Sequence, residues 1–205
     1  MANTHSRANL DDKKARDNLM LAASRVIGRK GYKAASIARI AEEADISIGH
    51  CYKFFETREA ILENVILWVL DRFENFSEKE LEKTKTYLEF EHCALDRYFK
   101  FQQKYPFFIT ILRDSEVETP DTWKKFSDRR FDRYIVALTA AFERGEFTGI
   151  ERHHLKYVSH MLSSIRRTIV FNHPNKSAER EEAIAAYEVF VRQALGMSPR
   201  PSGRT

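Results

Sequence analysis

The side chains best suited to chemistry lie in one short stretch that ends at Arg58. They comprise a hydroxyl, a phenol, an imidazole and two basic groups, with an isoleucine and a glycine among them: Ser47, Ile48, Gly49, His50, Tyr52, Lys53 and Arg58. Hydroxyl, phenol and basic groups suit contacts to phosphate oxygens. An imidazole can hydrogen-bond a purine edge, and an isoleucine can pack on a thymine methyl. The stretch therefore predicts binding of double-stranded DNA.

The sequence contains no pattern typical of an active site, a phosphate-binding loop or a metal site. No Ser, His and Asp set and no carboxylate pair has catalytic spacing, so we do not expect an enzyme. The seven glycines form no phosphate-binding loop. Cys51 and Cys93 stand too far apart for a CxxC site, and His50 and Cys51 point about 100° apart on a helix. Three more histidines lack ligand spacing: His153, His154 and His160. We expect no metal and no cofactor.

The composition is that of a globular chain with a mild preference for polyanions. The 205 residues carry a net charge of +4, and residues 1–60 hold eleven basic against eight acidic side chains. The start is polar, and no apolar run approaches the roughly 18 residues of a membrane helix. We expect a cytoplasmic protein that makes no contact with a membrane.

Two short helices must position the candidate side chains. Ser36 is the predicted N-cap of a helix over residues 37–44, and Ser47 that of a helix over 48–55. The three-residue break between them is typical of a helix-turn-helix unit. A helix over residues 11–29, ended by Gly31, precedes the pair, and a helix over 58–76 follows Thr57.

Helical spacing continues to the end of the chain and predicts an all-α fold of about nine helices. The later ones span residues 87–105, 107–114, 120–144, 151–172 and 177–195. Capping boxes at Ser77 and Thr86 leave the boundary before the first of these open. We place a helix-turn-helix DNA-binding domain at 1–57, a ligand-binding and dimerisation domain at 58–196, and a disordered tail at 197–205. His173–Asn175 forms a predicted turn and Ser177 a predicted cap.

The segment from Leu19 to Leu62 resembles the TetR family of transcription regulators. It shares a glycine-aromatic pair, an I-A-x-x-A helix and an I-S-x-G-x-x-Y-x-x-F recognition helix, at Ala22, Gly31–Tyr32, Ser36, Ile40–Ala44, Ile46–Ser47, Gly49, Tyr52, Phe55, Arg58, Glu59 and Leu62. The resemblance implies a ligand-responsive regulator, most often a repressor, that binds a near-palindromic DNA operator as a homodimer. By position it implies base reading by Ile48, Gly49 and His50. It also implies phosphate contacts by four residues, Ser36, Ser47, Tyr52 and Arg58.

Several residues depart from the family pattern. Asp45 stands where glycine is common, and Phe54 replaces a usual His or Tyr. Ala38 stands where many relatives carry a base-reading arginine, and Arg39 either substitutes for it or points to solvent. Asp45 and Phe54 support a second hypothesis, an all-helical ligand-binding or scaffold protein whose DNA reading has lapsed. Cys51 replaces a usual leucine on the inner side of the helix, where burial opposes a redox role.

The resemblance also implies an effector pocket beside the fourth helix. Aromatic side chains on the helices beyond residue 58 predict its lining: Trp68, His92, Tyr98, Phe108, Trp123, Phe126 and Tyr134. His92 is either a core histidine or a ligand contact. Such a pocket suits a small hydrophobic or aromatic effector. Arg166 and Arg167 are candidates either for a carboxylate on it or for a solvated or interface position.

Two apolar stripes predict the dimer interface on the last two long helices. They consist of Leu155, Val158, Leu162, Ile165 and Ile169 on one helix and of Ala183, Tyr187, Phe190 and Ala194 on the other. Antiparallel pairs of such helices would form a four-helix interface about a two-fold axis.

Overall fold

The computed structural model describes residues 2–76, 78–172 and 177–197, with the side chains of all but 2–11 and 177. The predicted cap at Ser77, the turn at His173–Asn175, the side chain of Ser177 and the tail beyond Met197 lie outside this description.

The all-α prediction is confirmed. The described residues form ten α-helices, one short 3-10 helix at Arg152–His154 and no strand. The α-helices are α1 (Ala2–Lys30), α2 (Ile37–Ala44), α3 (Ile48–Phe54), α4 (Arg58–Asn75), α5 (Glu78–Glu82), α6 (Tyr87–Lys104), α7 (Phe108–Glu118), α8 (Pro120–Glu143), α9 (Leu155–Asn172) and α10 (Ser177–Leu195). The five-residue α5 adds to the nine predicted helices, and α1 starts nine residues earlier than the prediction. Among the described residues, none of the helices combines the length and apolar character needed to cross a bilayer.

Side-chain caps fix the helix-turn-helix segment as predicted. The Ser36 hydroxyl accepts the N–H of Arg39, and the Ser47 hydroxyl accepts the N–H of His50 at 3.1 Å. Asp45 ends α2 with φ 54° and ψ 46°, in the left-handed region. Aspartate tolerates this conformation better than most residues, so the departure from glycine leaves the turn intact.

The chain divides into two compact units. The first comprises Met1–Glu74 and Tyr105–Lys124, and the second comprises Asn75–Lys104 and Lys125–Thr205. The predicted domain boundary at residue 57 does not coincide with this division, because most of α4 and all of α7 belong to the first unit. There the rings of Phe73 on α4 and Phe108 on α7 stack at 4.9 Å, and both side chains are fully buried.

The second unit contains α6 and α10, most of α8, and α9. Its interior holds apolar side chains such as Leu95, Phe99 and Leu138. It also holds charged groups, since Glu91 and Arg166 are almost completely buried. The surface or interface position favoured for Arg166 from the sequence is therefore wrong.

The predicted dimer stripes coincide only in part with the exposed faces of α9 and α10. Leu155, Leu162 and Tyr187 are buried within the chain. Four large apolar residues of α9 and α10 are exposed, and of these only Phe190 was predicted: Tyr157, Met161, Val189 and Phe190. Periodicity located the apolar helices, but it could not indicate which apolar face packs inside.

Candidate nucleic-acid interface

Helix α3 buries one side and leaves the other open. Cys51 is fully buried, whereas Ile48 is 46% and Tyr52 48% exposed. A Cβ added to Gly49 would meet only the Ser47 hydroxyl, at 3.9 Å. The packing of the chain itself therefore does not require glycine at this position. A glycine that the fold does not need is consistent with a surface that must approach a partner closely.

Burial also determines the chemistry of Cys51. It raises the pKa of the thiol, and an un-ionised thiol is a poor nucleophile. The thiol therefore packs as an apolar group on the inner face of α3.

His50 is half-buried on α3 and has a defined support. Its ring lies against that of Phe54, with centroids 5.5 Å apart. Residues four apart on a helix are neighbours, so the replacement of a usual polar residue by Phe54 gives the imidazole an apolar backing. Phe54 therefore supports the imidazole of His50, which is predicted to read a base.

The predicted phosphate contacts fall into two groups. Tyr52 and Lys53 are exposed, and Lys53 makes no ion pair with any described residue. Ser36 and Ser47 use their oxygens as N-caps, which leaves each hydroxyl proton for an outside acceptor. Arg39 is exposed, and its Nη1 donates to the carbonyl of Ala34 at 2.6 Å. Four of its five N–H groups lack a partner among the described residues.

Arg58 joins α4 to the segment between α1 and α2. Its Nε donates to the carbonyl of Ala35 at 2.8 Å, and its Nη2 donates to those of Tyr32 at 2.9 Å and Lys33 at 3.2 Å. Its Nη1 donates to Glu59. Four of the five guanidinium N–H groups are therefore used within the chain. This geometry makes Arg58 a positioning residue for the loop that leads into Ser36, a role the sequence analysis missed.

The predicted effector residues are divided between the two units. Trp68, Phe108 and Trp123 belong to the first unit. There the indole N–H of Trp68 donates to Asp17 at 2.9 Å, and the guanidinium of Arg72 lies over its ring.

The second unit holds the other four: His92, Tyr98, Phe126 and Tyr134. Of these, Tyr98, Phe126 and Tyr134 are buried. His92 is not a core histidine, because its side chain is exposed and pairs with Glu188 at 2.5 Å.

The second unit's interior also holds charged side chains that were not among the predicted effector residues. Arg130 and Glu91 are buried there together with Arg166. A signal was available, since Phe126, Arg130, Tyr134 and Leu138 recur every four residues along α8. A charged residue within such an apolar series lies on the buried face.

Comparison with known proteins agrees with this geometry. Residues 19–65 match the family model described as bacterial regulatory proteins, tetR family. An uncharacterised HTH-type transcriptional regulator from Haemophilus influenzae is 24% identical over 120 residues, which span 58% of this chain and 64% of that relative.

Solved structures share the fold over nearly the whole chain. The TetR family transcriptional regulator PfmR from Thermus thermophilus superposes with a TM-score of 0.69 at 21% identity, covering 88% of this chain and 99% of that one. The transcriptional regulator FadR from Bacillus subtilis, in complex with stearoyl-CoA, gives 0.69 at 17% identity, covering 92% and 98%. Residues 19–65 therefore match the tetR family of bacterial regulatory proteins, and the chain has the fold of TetR-like helix-turn-helix proteins.

Proposed function

We propose that the chain is a non-enzymatic, cytoplasmic transcriptional repressor that binds a near-palindromic operator as a homodimer and is released by a small-molecule effector. The observation that carries the DNA-reading part is the open surface of α3. Gly49 has free space where a Cβ would stand, between exposed Ile48 and half-buried His50. A helix with so thin an N-terminal end can enter the major groove, which is roughly 12 Å wide.

The assignment of roles follows from exposure and hydrogen-bonding capacity. Ile48 and His50 contact base edges, and Gly49 permits their approach. Ser36, Ser47, Tyr52 and Lys53 donate to phosphates, which fixes the orientation of α3 on the duplex. Arg39 has N–H groups left for either kind of contact, whereas Arg58 acts mainly by holding the preceding loop in place.

The homodimer is assigned to the exposed apolar faces of α9 and α10. Tyr157 and Met161 lie one turn apart on α9 and are 63% and 61% exposed, and Val189 and Phe190 are exposed on α10. Large apolar side chains left in water at such density mark a protein contact surface. A two-fold dimer would place the two copies of α3 on half-sites about one DNA turn apart.

Sedimentation of two charge-introducing variants tests the dimer. Met161→Glu should convert a dimer at micromolar concentration into a monomer, because a carboxylate would be buried against an apolar surface. Val117→Glu changes an exposed apolar residue on α7, 72% accessible against 61% for Met161, and should leave the dimer unchanged. A wild-type chain that sediments as a monomer would contradict the dimer, as would two variants that behave alike.

The effector is placed in the second unit, where Tyr98, Phe126 and Tyr134 remain as candidate contacts. Support comes from the likeness in fold to FadR of Bacillus subtilis, which was solved with stearoyl-CoA. We carry over from it only that helices arranged in this way can hold a small molecule.

Binding to genomic DNA tests the proposal against the second candidate function. Fragments of the source genome that the chain retains in a mobility-shift experiment should share an inverted repeat. Exposed Asp45 places a negative charge beside the proposed DNA surface, which favours the alternative of an all-helical ligand-binding or scaffold protein with lapsed DNA reading. That alternative predicts no enrichment of any sequence over the input.

A further inference from the structure

The interior of the second unit contains a compensated ion pair. Glu91 is completely buried and accepts hydrogen bonds from Tyr87 at 2.5 Å and Tyr187 at 2.6 Å, and it pairs with Arg166. Burial and the adjacent Glu91 carboxylate raise the pKa of the Tyr87 phenol. The phenols therefore act as neutral donors, and the charges of Glu91 and Arg166 cancel each other.

Arg130 is a second buried guanidinium in the same interior, and its charge is not compensated. Its side chain is 6% exposed, and it donates to the hydroxyls of Tyr98 and Ser163. It lies over the rings of Phe126 and Tyr98, at 5.2 and 5.8 Å. No carboxylate of the described residues lies within ion-pair distance. A buried charge without a counter-charge is unfavourable, and neutral hydroxyls satisfy its N–H groups without cancelling the charge.

Unused hydrogen-bond donors accompany this charge. The Nε of Arg130, the Nε and Nη2 of Arg166, and the hydroxyl of Ser159 are buried and have no partner among the described residues. Ser159, Ser163 and Arg166 are spaced i, i+4 and i+7 on α9 and so share one face of that helix. Arg130 bonds Ser163 in the middle of that face. Buried polar groups are nearly always satisfied in folded proteins, so this concentration of donors indicates a missing acceptor.

We propose that this interior binds a small molecule with a carboxylate and an otherwise apolar body. The carboxylate is held by Arg130 and by the unused donors beside it, and the body packs against Phe126, Tyr98 and Tyr134. A water molecule could accept the same N–H groups but brings no negative charge. A carboxylate supplies both the hydrogen-bond acceptors and the negative charge, and its shape matches the planar guanidinium. The inference rests on the proposed effector response and names the chemical class of that effector.

A cleft lies beside this interior, between α6 and α8. This cleft of about 340 Å³ is lined by residues that include Tyr87, Phe90 and Val136. The Phe90 ring meets Tyr134 edge-on at 5.7 Å, and Arg166 lies over the Tyr134 ring at 4.2 Å. The Phe90 and Tyr134 rings therefore lie between the cleft and Arg166, and we expect them to move when a ligand enters.

Matched acid and amide probes test the proposal on the full chain. Calorimetric titration would compare octanoate with octanamide, and 4-phenylbutyrate with 4-phenylbutyramide. We expect at least one acid to bind the wild type about ten-fold or more tighter than its amide, because a charge-assisted hydrogen bond to a buried partner is worth roughly that ratio. Arg130→Met should lose the preference, whereas Arg129→Met, which removes an exposed charge from the same helix, should keep it.

Thermal unfolding without probe shows whether Arg130→Met still folds, so that a lost preference for acids can be attributed to the missing guanidinium. Without probe, Arg130→Met should unfold at the same temperature as the wild type or higher, because an apolar side chain replaces a charge that lacks a counter-ion. The proposal is wrong if no acid binds, if acids and amides bind equally, or if Arg130→Met retains the preference. Release of DNA is measured separately. If an acid binds through Arg130 but leaves DNA affinity unchanged, the carboxylate site is confirmed and the proposed release of DNA by an effector is wrong.

Discussion

Replacing Arg58 by methionine separates two roles that a basic residue at this position can have. The structure assigns it to the loop between α1 and α2, through three main-chain carbonyls. A phosphate contact is the role implied by the family resemblance. The positioning role predicts a loss of stability and the phosphate contact predicts a smaller salt dependence of DNA binding, so the variant decides between the two roles.

The cost of the substitution follows from the hydrogen bonds that it removes. The bonds to Ala35 and Tyr32 are half-buried, and the bond to Lys33 is exposed and contributes little. A bond from a charged donor contributes about 1.5–3 kcal/mol. Because the side chain is 29% exposed, water can replace part of each bond, so the lower end of that range applies to both. We expect Arg58→Met to lower the free energy of unfolding by roughly 3 kcal/mol, about 1.5 kcal/mol for each of the two bonds.

Urea unfolding and salt-dependent DNA binding together provide the assay. Arg58→Met should lower the urea midpoint and leave the slope of log affinity against log salt unchanged. Lys53→Met is the matched control, because Lys53 is exposed on α3. It should leave the free energy of unfolding within the usual range of surface substitutions, about 0.5 kcal/mol, and reduce the salt slope by about 0.9. An Arg58→Met variant of wild-type stability with a reduced salt slope would refute the positioning role.

Two further predictions follow from the structure. Gly49→Ala should raise the free energy of unfolding by up to about 1 kcal/mol, because alanine favours the helix and meets only the Ser47 hydroxyl. The same variant should bind specific DNA more weakly. Urea unfolding measures the first effect and fluorescence anisotropy the second, and an unchanged DNA affinity would contradict the close approach of α3 to the DNA. Asp96 pairs with Lys100 and Arg180, and although burial acts in the opposite direction, their hydrogen bonds lower the pKa of its carboxyl below its ordinary value. A lowered folded-state pKa stabilises the protein above the unfolded-state value, and this contribution is lost as the pH falls through the folded-state value. Thermal unfolding should therefore find Asp96→Asn less stable than the wild type at neutral pH, and the difference should vanish in acid; a difference that stays constant with pH would contradict the ion pairs.

The local parts of the fold could be predicted from the sequence because their causes are local. Ser36 and Ser47 cap helices that begin one residue later, and Gly31 and Asp45 adopt the left-handed backbone that ends the preceding helices. Cys51 lies on the buried side of α3 because of helical spacing alone. Such features depend on a few neighbouring residues, so a pattern of residue types is sufficient.

The partners of the buried charges could not be predicted in this way, because they are distant in sequence. Glu91 and Arg166 pair across 75 positions, and Arg130 and Tyr98 across 32. The apolar series on α8 places Arg130 on a buried face, but the group that it contacts there depends on what the opposite helix supplies. The same limit applies to Arg58, whose carbonyl partners lie more than twenty residues earlier and show no side-chain pattern.

Base preference measured with His50→Ala tests most directly the claim that α3 reads DNA. Affinities of the wild type and the variant would be determined for a selected operator and for every single-base substitution of it. We predict that the wild type discriminates by about 1–3 kcal/mol at one base pair in each half-site. His50→Ala should lose this discrimination at those two positions and keep it at the others. A variant with the same base preferences as the wild type at every position would contradict base reading by His50 on this helix.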